Sequence, residues 1–221
     1  MNNKILEFSQ INKYSFLLMA IFFCSICKAQ DFTDSRRKTE SFARLQPKEV
    51  RADVATFALA GISESVNTNQ LSKIPYSSFS SDSMVFNGER IKAIVKTAPF
   101  DPAKHKLSYY DKYLVRIDRR AYYGNYGNMP KTEISSVIVI LGILGNDTVF
   151  IPPAAYNDLH NLNLTYTDKG VQRTANAIYT SKDHHRVYLY LFSKDNTGSY
   201  EVTWIIQNGK YLRRVLDYGF M

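Results

Sequence analysis

The densest alternation of apolar and polar positions lies near the C-terminus. Three runs rich in β-branched and aromatic residues, at 186–192, 200–206 and 210–216, are separated by a polar stretch at 193–199 and by Asn208-Gly209. Such runs joined by turn signals predict an antiparallel meander, and Asn-Gly is the strongest short hairpin signal. A two-residue turn at Asn208-Gly209 would set Gln207 opposite Lys210, Ile205 opposite Leu212 and Thr203 opposite Arg214 on one face. On the other face Ile206 meets Tyr211, Trp204 meets Arg213 and Val202 meets Val215. The second set is large and apolar, so it is the expected core face. In that register Arg213 lies along Trp204, and Glu201 sits diagonal to Arg214 as an ion pair.

The same reasoning extends toward the N-terminus. Residues 47–61 predict a helix: Pro47 suits a first turn, and Val50, Val54, Phe57, Ala58 and Ile62 share one face. Residues 63–83 are rich in serine and asparagine and read as a connecting loop, with Ile74-Pro75-Tyr76 extended. A hairpin is expected about Asn87-Gly88 within 84–96, ended by Pro99 and Pro102. Residues 107–118 read as one strand, and the β-branched run at 134–144 as a central strand that turns through Gly145-Asn146-Asp147 into 148–151. Pro152-Pro153 opens a short helical turn, 161–170 is a loop, 173–180 a further strand, and 182–185 a turn into the meander.

Roughly eight strands with one helix predict an α+β, β-dominated fold. The expected form is a mostly antiparallel curved sheet or small sandwich, built from hairpins and the C-terminal meander, with the N-terminal helix packed on it. The chain divides into a signal peptide at 1–29, a polar lead-in, helix and loop at 30–82, and an antiparallel β domain at 83–221 that forms one globular unit with the helix.

The start of the chain changes the picture of its compartment. Lys4 and Lys13 precede an apolar run at 16–26, and Ala29 stands before Gln30. A basic start, a short apolar segment and a small residue at the exit are the pattern of a cleavable secretory signal, too short to span a bilayer. The expectation is a periplasmic or secreted protein with no transmembrane segment in its mature chain. Both cysteines, Cys24 and Cys27, fall inside that segment, so the remainder has no disulfide, thiolate metal site or cysteine nucleophile. Beyond residue 29 the chain holds 25 basic against 19 acidic residues, about +6, where the whole carries +8. Export makes nucleic acid an unfit partner, and a protein or an anionic cell-envelope polymer fits the basic balance better.

Candidate chemistry is sparse. Asp183-His184-His185 is a cluster in sequence, but adjacent residues on extended backbone face opposite ways and cannot easily share a metal. No Gly-x-Ser-x-Gly elbow occurs, and Ser35-Arg-Arg-Lys38 lies in the polar lead-in rather than on a helix. The carboxylates Asp111, Asp118, Glu133, Asp147, Asp158, Glu201 and Asp217 show no spacing that selects a catalytic pair. Gly124-Asn-Tyr-Gly127 precedes no helix and lacks phosphate-loop spacing. No metal or cofactor is expected. The distinctive stretch is the loop at 119–131, where Arg119, Arg120, Tyr122, Tyr123, Tyr126 and Lys131 combine aromatic contact area with cationic donors. The expectation is a non-catalytic binding module that uses this loop. The alternative is a small periplasmic hydrolase with an acid/base site assembled from unlinked carboxylates and His105, His160 or His185.

Overall fold

A computed structural model of the chain describes residues 42, 45–59, 71–142, 147–194 and 198–219. The expected export segment with Cys24 and Cys27, most of the lead-in, Ile62 and the Gly145-Asn146 turn lie outside the described residues.

Two five-stranded antiparallel sheets supply the framework. One runs in the order β1 (Ser72–Ile74), β11 (Ala177–Thr180), β12 (Arg186–Lys194), β13 (Ser199–Gln207), β14 (Lys210–Tyr218). The other runs β2 (Tyr76–Phe79), β3 (Ser83–Asn87), β4 (Ile91–Pro99), β7 (Thr132–Leu141), β8 (Asp147–Phe150). Their inner faces interdigitate as a sandwich: Met84, Phe86, Val95, Val137 and Val139 from one sheet share a core with Leu189, Leu191, Val202, Trp204 and Leu216 from the other. Two short ribbons complete the strands, β5 (Leu107–Tyr110) with β6 (Tyr113–Ile117), and β9 (Tyr166–Asp168) with β10 (Val171–Arg173). The β-dominated α+β class read from the sequence is the class observed. No helix among the described residues is long and apolar enough to cross a membrane.

The meander forms as expected, but β12 and β13 are buried on both faces. Helix α1 (Lys48–Val54) lays Val50 and Val54 over Tyr188, Tyr190, Ile205 and Val215 on the outer face of the first sheet. Phe57, just beyond α1, stacks on Tyr179 at 4.2 Å. A seven-residue helix is marginal alone, so tertiary packing must hold it. Two buried carboxylates help. Asp53 accepts from Arg186 Nε at 2.8 Å and Tyr188 Oη at 2.6 Å; Glu201 accepts from Tyr190 Oη at 2.8 Å and the Leu59 N–H at 2.9 Å.

Several expectations need correcting. The last hairpin keeps its predicted register only as far as Ile206 opposite Tyr211; a bulge then makes Ile205 face Arg213 and Trp204 face Arg214. Leu212 is the extra residue, and it projects outward. The slip turns Arg214, not Arg213, onto the Trp204 face, where Asp158 neutralises it through two bonds of 2.6 and 2.7 Å. The expected Glu201–Arg214 pair therefore does not form. In the 84–96 hairpin the tip is Glu89-Arg90, since Asn87 pairs with Lys92 and the Gly88 N–H bonds to Ile91. Gly88 instead sits close to Ile74: a Cβ there would come within 2.9 Å of the tip of that side chain, which would have to shift. The supposed loop at 63–83 supplies β1 and β2, edge strands of the two sheets, and Pro75 between them has no N–H to leave unpaired.

Candidate recognition surface

Residues 107–118, read from sequence as one strand, fold as the β5–β6 ribbon, and the 119–131 loop docks on it. Asp111 takes a positive φ of 53° at the ribbon tip, a conformation that aspartate tolerates. Ile117 and Arg120 exchange backbone bonds of 3.0 and 2.9 Å around Asp118-Arg119, whose φ angles are 51° and 67°. Positive φ at both central residues is the demand of a tight type I′ turn. Glycine and asparagine meet it readily, but arginine does so at a cost on the order of 1 kcal/mol. The Leu114 N–H then bonds to the Gly127 carbonyl at 3.0 Å, tying the loop to the ribbon.

The predicted site residues divide sharply. Tyr122 is 5% exposed, packs with Phe100, Leu114 and Ile117, and sets its hydroxyl among the carbonyls of Leu114, Asn125 and Asn128 at 3.0–3.3 Å. Burial pushes its ionisation above the usual tyrosine range, so the phenol stays a neutral donor. Tyr123 lies in the main core with its ring 5.1 Å from Tyr218. Tyr126 is half-buried against that core, and a side chain at Gly198 would collide with its ring. These three rings anchor the loop. Arg119, Arg120 and Lys131 are exposed, and Arg120 reaches Asn157 at 3.4 Å. Gly124 fits because a side chain would strike the His160 carbonyl, and its φ of 93° suits glycine alone.

Three tyrosines that sequence reasoning placed in an ordinary strand are the ones displayed. Tyr110 is 78% exposed and pairs directly with Tyr113 across the tip; Tyr109 is exposed beside them. A Cβ on Gly127 would stand 3.1 Å from the Tyr113 ring, so that ring lies close over the loop backbone. Lys112 Nζ is 5.4 Å from the centroid of the Tyr113 ring, a cation–π distance. Val115 and Met129 add exposed apolar area. Between positions 104 and 131 seven lysines and arginines stand against Asp111 and Asp118, a net of +5 in a chain whose total is +8. The signal that would have found the ribbon is Tyr-Tyr-Asp-Lys-Tyr at 109–113, a polar dipeptide flanked by aromatics.

The ribbon is braced from behind by a titratable cluster. His105 Nδ1 is 2.8 Å from Asp118 Oδ2, and its Nε2 is 3.1 Å from Glu133 Oε2, with the Phe100 ring stacked on it at 4.7 Å. Partial burial acts to raise the Asp118 carboxyl, but bonds from His105 and the Lys106 N–H outweigh it and hold it below its usual range. Two of the groups invoked for a hydrolase, His105 and Asp118, thus do meet. Both ring nitrogens of His105 lie against carboxylates from separate segments, which braces the foot of the ribbon. His160, fully buried, stands edge-on to Phe100 at 5.3 Å and Tyr122 at 5.9 Å. Desolvation lowers its pKa to about 4, against the opposing pull of Asp158. Neither of its nitrogens meets a partner at good geometry among the described residues, although the Thr132 backbone lies near enough to favour its charged form.

The remaining candidates are occupied elsewhere or apart. Asp158 pairs with Arg214, Glu201 with Tyr190, and Asp147 is an exposed end of β8. His184 and His185 sit on an exposed turn shaped by Asp183, which accepts from Ser181 Oγ at 2.5 Å. Among the described residues no group of three or more His, Asp or Glu is arranged to hold a metal ion. Comparison of the chain with protein-family models, with curated proteins and with solved structures found no match.

Proposed function

We propose that the protein is an exported, non-catalytic binding module that recognises an acidic protein or an anionic cell-envelope polymer through the face built by the β5–β6 ribbon and the 119–131 loop. One observation carries the reading: five of the chain's eight net positive charges lie in 28 residues that also display Tyr109, Tyr110 and Tyr113. Exposed tyrosines offer contact area at low entropic cost, and arginine pairs with carboxylates and phosphates bidentately. Arg119, Arg120 and Lys131 supply charge, while Tyr122, Tyr123 and Tyr126 serve by fixing the loop. Arg119 held at positive φ on the surface supports the reading, because strain tends to be kept where a side chain is needed. Export rests on the basic-then-apolar start, and the absence of cysteine after residue 27 suits a bacterial periplasm better than a eukaryotic secretory route.

The test is capture of envelope components by the chain from residue 30 onward, against a variant carrying Tyr110→Ala, Tyr113→Ala, Arg116→Gln and Arg120→Gln. Wild type is expected to retain an acidic partner in a salt-sensitive way, and the variant to lose it while keeping its melting temperature. Equal capture by both would remove the ribbon from the account.

A further inference from the structure

Away from the ribbon, a cavity of about 320 Å³ lies where β12 runs out, walled by Asn163, Tyr166, Ala175, Phe192 and Lys194. Its walls are fixed by a polar lattice beneath them. Asn176 donates to the carbonyls of Asn163 and Leu164 at 3.1 and 3.0 Å and accepts the Phe192 N–H at 2.8 Å. Thr174 Oγ1 donates to the Leu164 carbonyl at 2.7 Å, and the Asn163 N–H bonds to Ser193 Oγ at 3.2 Å. The Asn163 side-chain amide also donates to the Lys194 carbonyl. Asn163, Tyr166, Ala175 and Lys194 are exposed and Phe192 is half-buried, so the cavity opens to solvent.

Its chemistry selects the guest. Two aromatic side chains and an alanine line it together with one amide and one ammonium, and the volume is at the small end for ligand sites, enough for a single ring. Lys194 has no ion-pair partner among the described residues, so a compact anion at the rim has a cation to meet. We infer that this cavity binds a small aryl carboxylate, its ring between Tyr166 and Phe192 and its carboxylate on Lys194.

Titration of the chain with benzoate and with 4-hydroxyphenylacetate, followed by aromatic proton NMR, tests this. Saturable shifts of the Tyr166 and Phe192 rings are expected, with affinity weakened roughly tenfold or more in Lys194→Met, whose exposed position leaves folding intact. Ala175→Leu should fill the cavity and abolish the shifts. No saturation up to about 10 mM of either probe would overturn the inference. Equal binding of benzyl alcohol, or an unchanged affinity in Lys194→Met, would remove the carboxylate from it; tighter binding of glucuronate would replace the aryl class with a sugar.

Discussion

The C-terminal meander and the β5–β6 ribbon are both antiparallel β-structure, yet they spend their side chains in opposite ways. In β13 the first eight of nine residues are buried, because the opposing sheet takes one face and α1 takes the other. The ribbon with its loop closes on a small cluster of Phe100, Leu114, Ile117 and Tyr122, and turns three tyrosines and most of the net charge outward. One region is organised to be covered. The other shows what it has to solvent, at the expense of strain at Arg119. A recognition surface is therefore expected on the second, and stability on the first.

The largest effect that separates them is at Asp158. Asp158→Ala leaves the Arg214 guanidinium buried beneath the meander without its carboxylate, and unfolding by urea should show a loss of roughly 3–5 kcal/mol. Next in size is a pH effect centred on His160. Its folded pKa is depressed to about 4 against about 6.5 in the unfolded chain, so its contribution is fully present above pH ~6.5 and is lost as pH falls through the folded value. That loss is on the order of 3 kcal/mol. His160→Phe should flatten the fall in stability between neutral and acid pH relative to wild type, and an unaltered profile would show the ring titrating normally. Smaller again, Arg119→Gly should stabilise by about 1 kcal/mol, since glycine adopts positive φ without penalty, while weakening partner binding. Opposite signs for stability and binding are the signature of a functional strain. Last, Tyr110→Ala and Tyr113→Ala should each shift stability by no more than about 0.5 kcal/mol in thermal melts. A larger cost would mean the ribbon is packed rather than displayed.

How much of this was legible follows the same division. The meander's apolar density and Asn208-Gly209 announced its strands and turn, and the spacing of Val50, Val54 and Ala58 announced the helix stripe. The bulge at Leu212 was not legible, because the gain that selects it is a bond between Arg214 and Asp158, 56 residues apart. Tyr122, Tyr123 and Tyr126 looked like a binding loop because composition does not say which way a ring points; their anchors, a cluster of carbonyls, Tyr218 and Gly198, come from the fold. Asp118-Arg119 and Asp111-Lys112 carry no glycine or asparagine, so the two tight turns that make the ribbon left no ordinary signal. The cluster of His105, Asp118 and Glu133 joins three separate segments, and no spacing rule finds such a meeting.

The most direct test of the division is a hydrogen-exchange footprint of the chain with and without a polyanion, poly-L-glutamate serving as the defined probe. Added protection is expected to be confined to residues 104–131 and to fade as salt is raised, with the meander unchanged. Protection that appears instead on the sheet of β2, β3, β4, β7 and β8, or none at concentrations where the probe is bound, would contradict it.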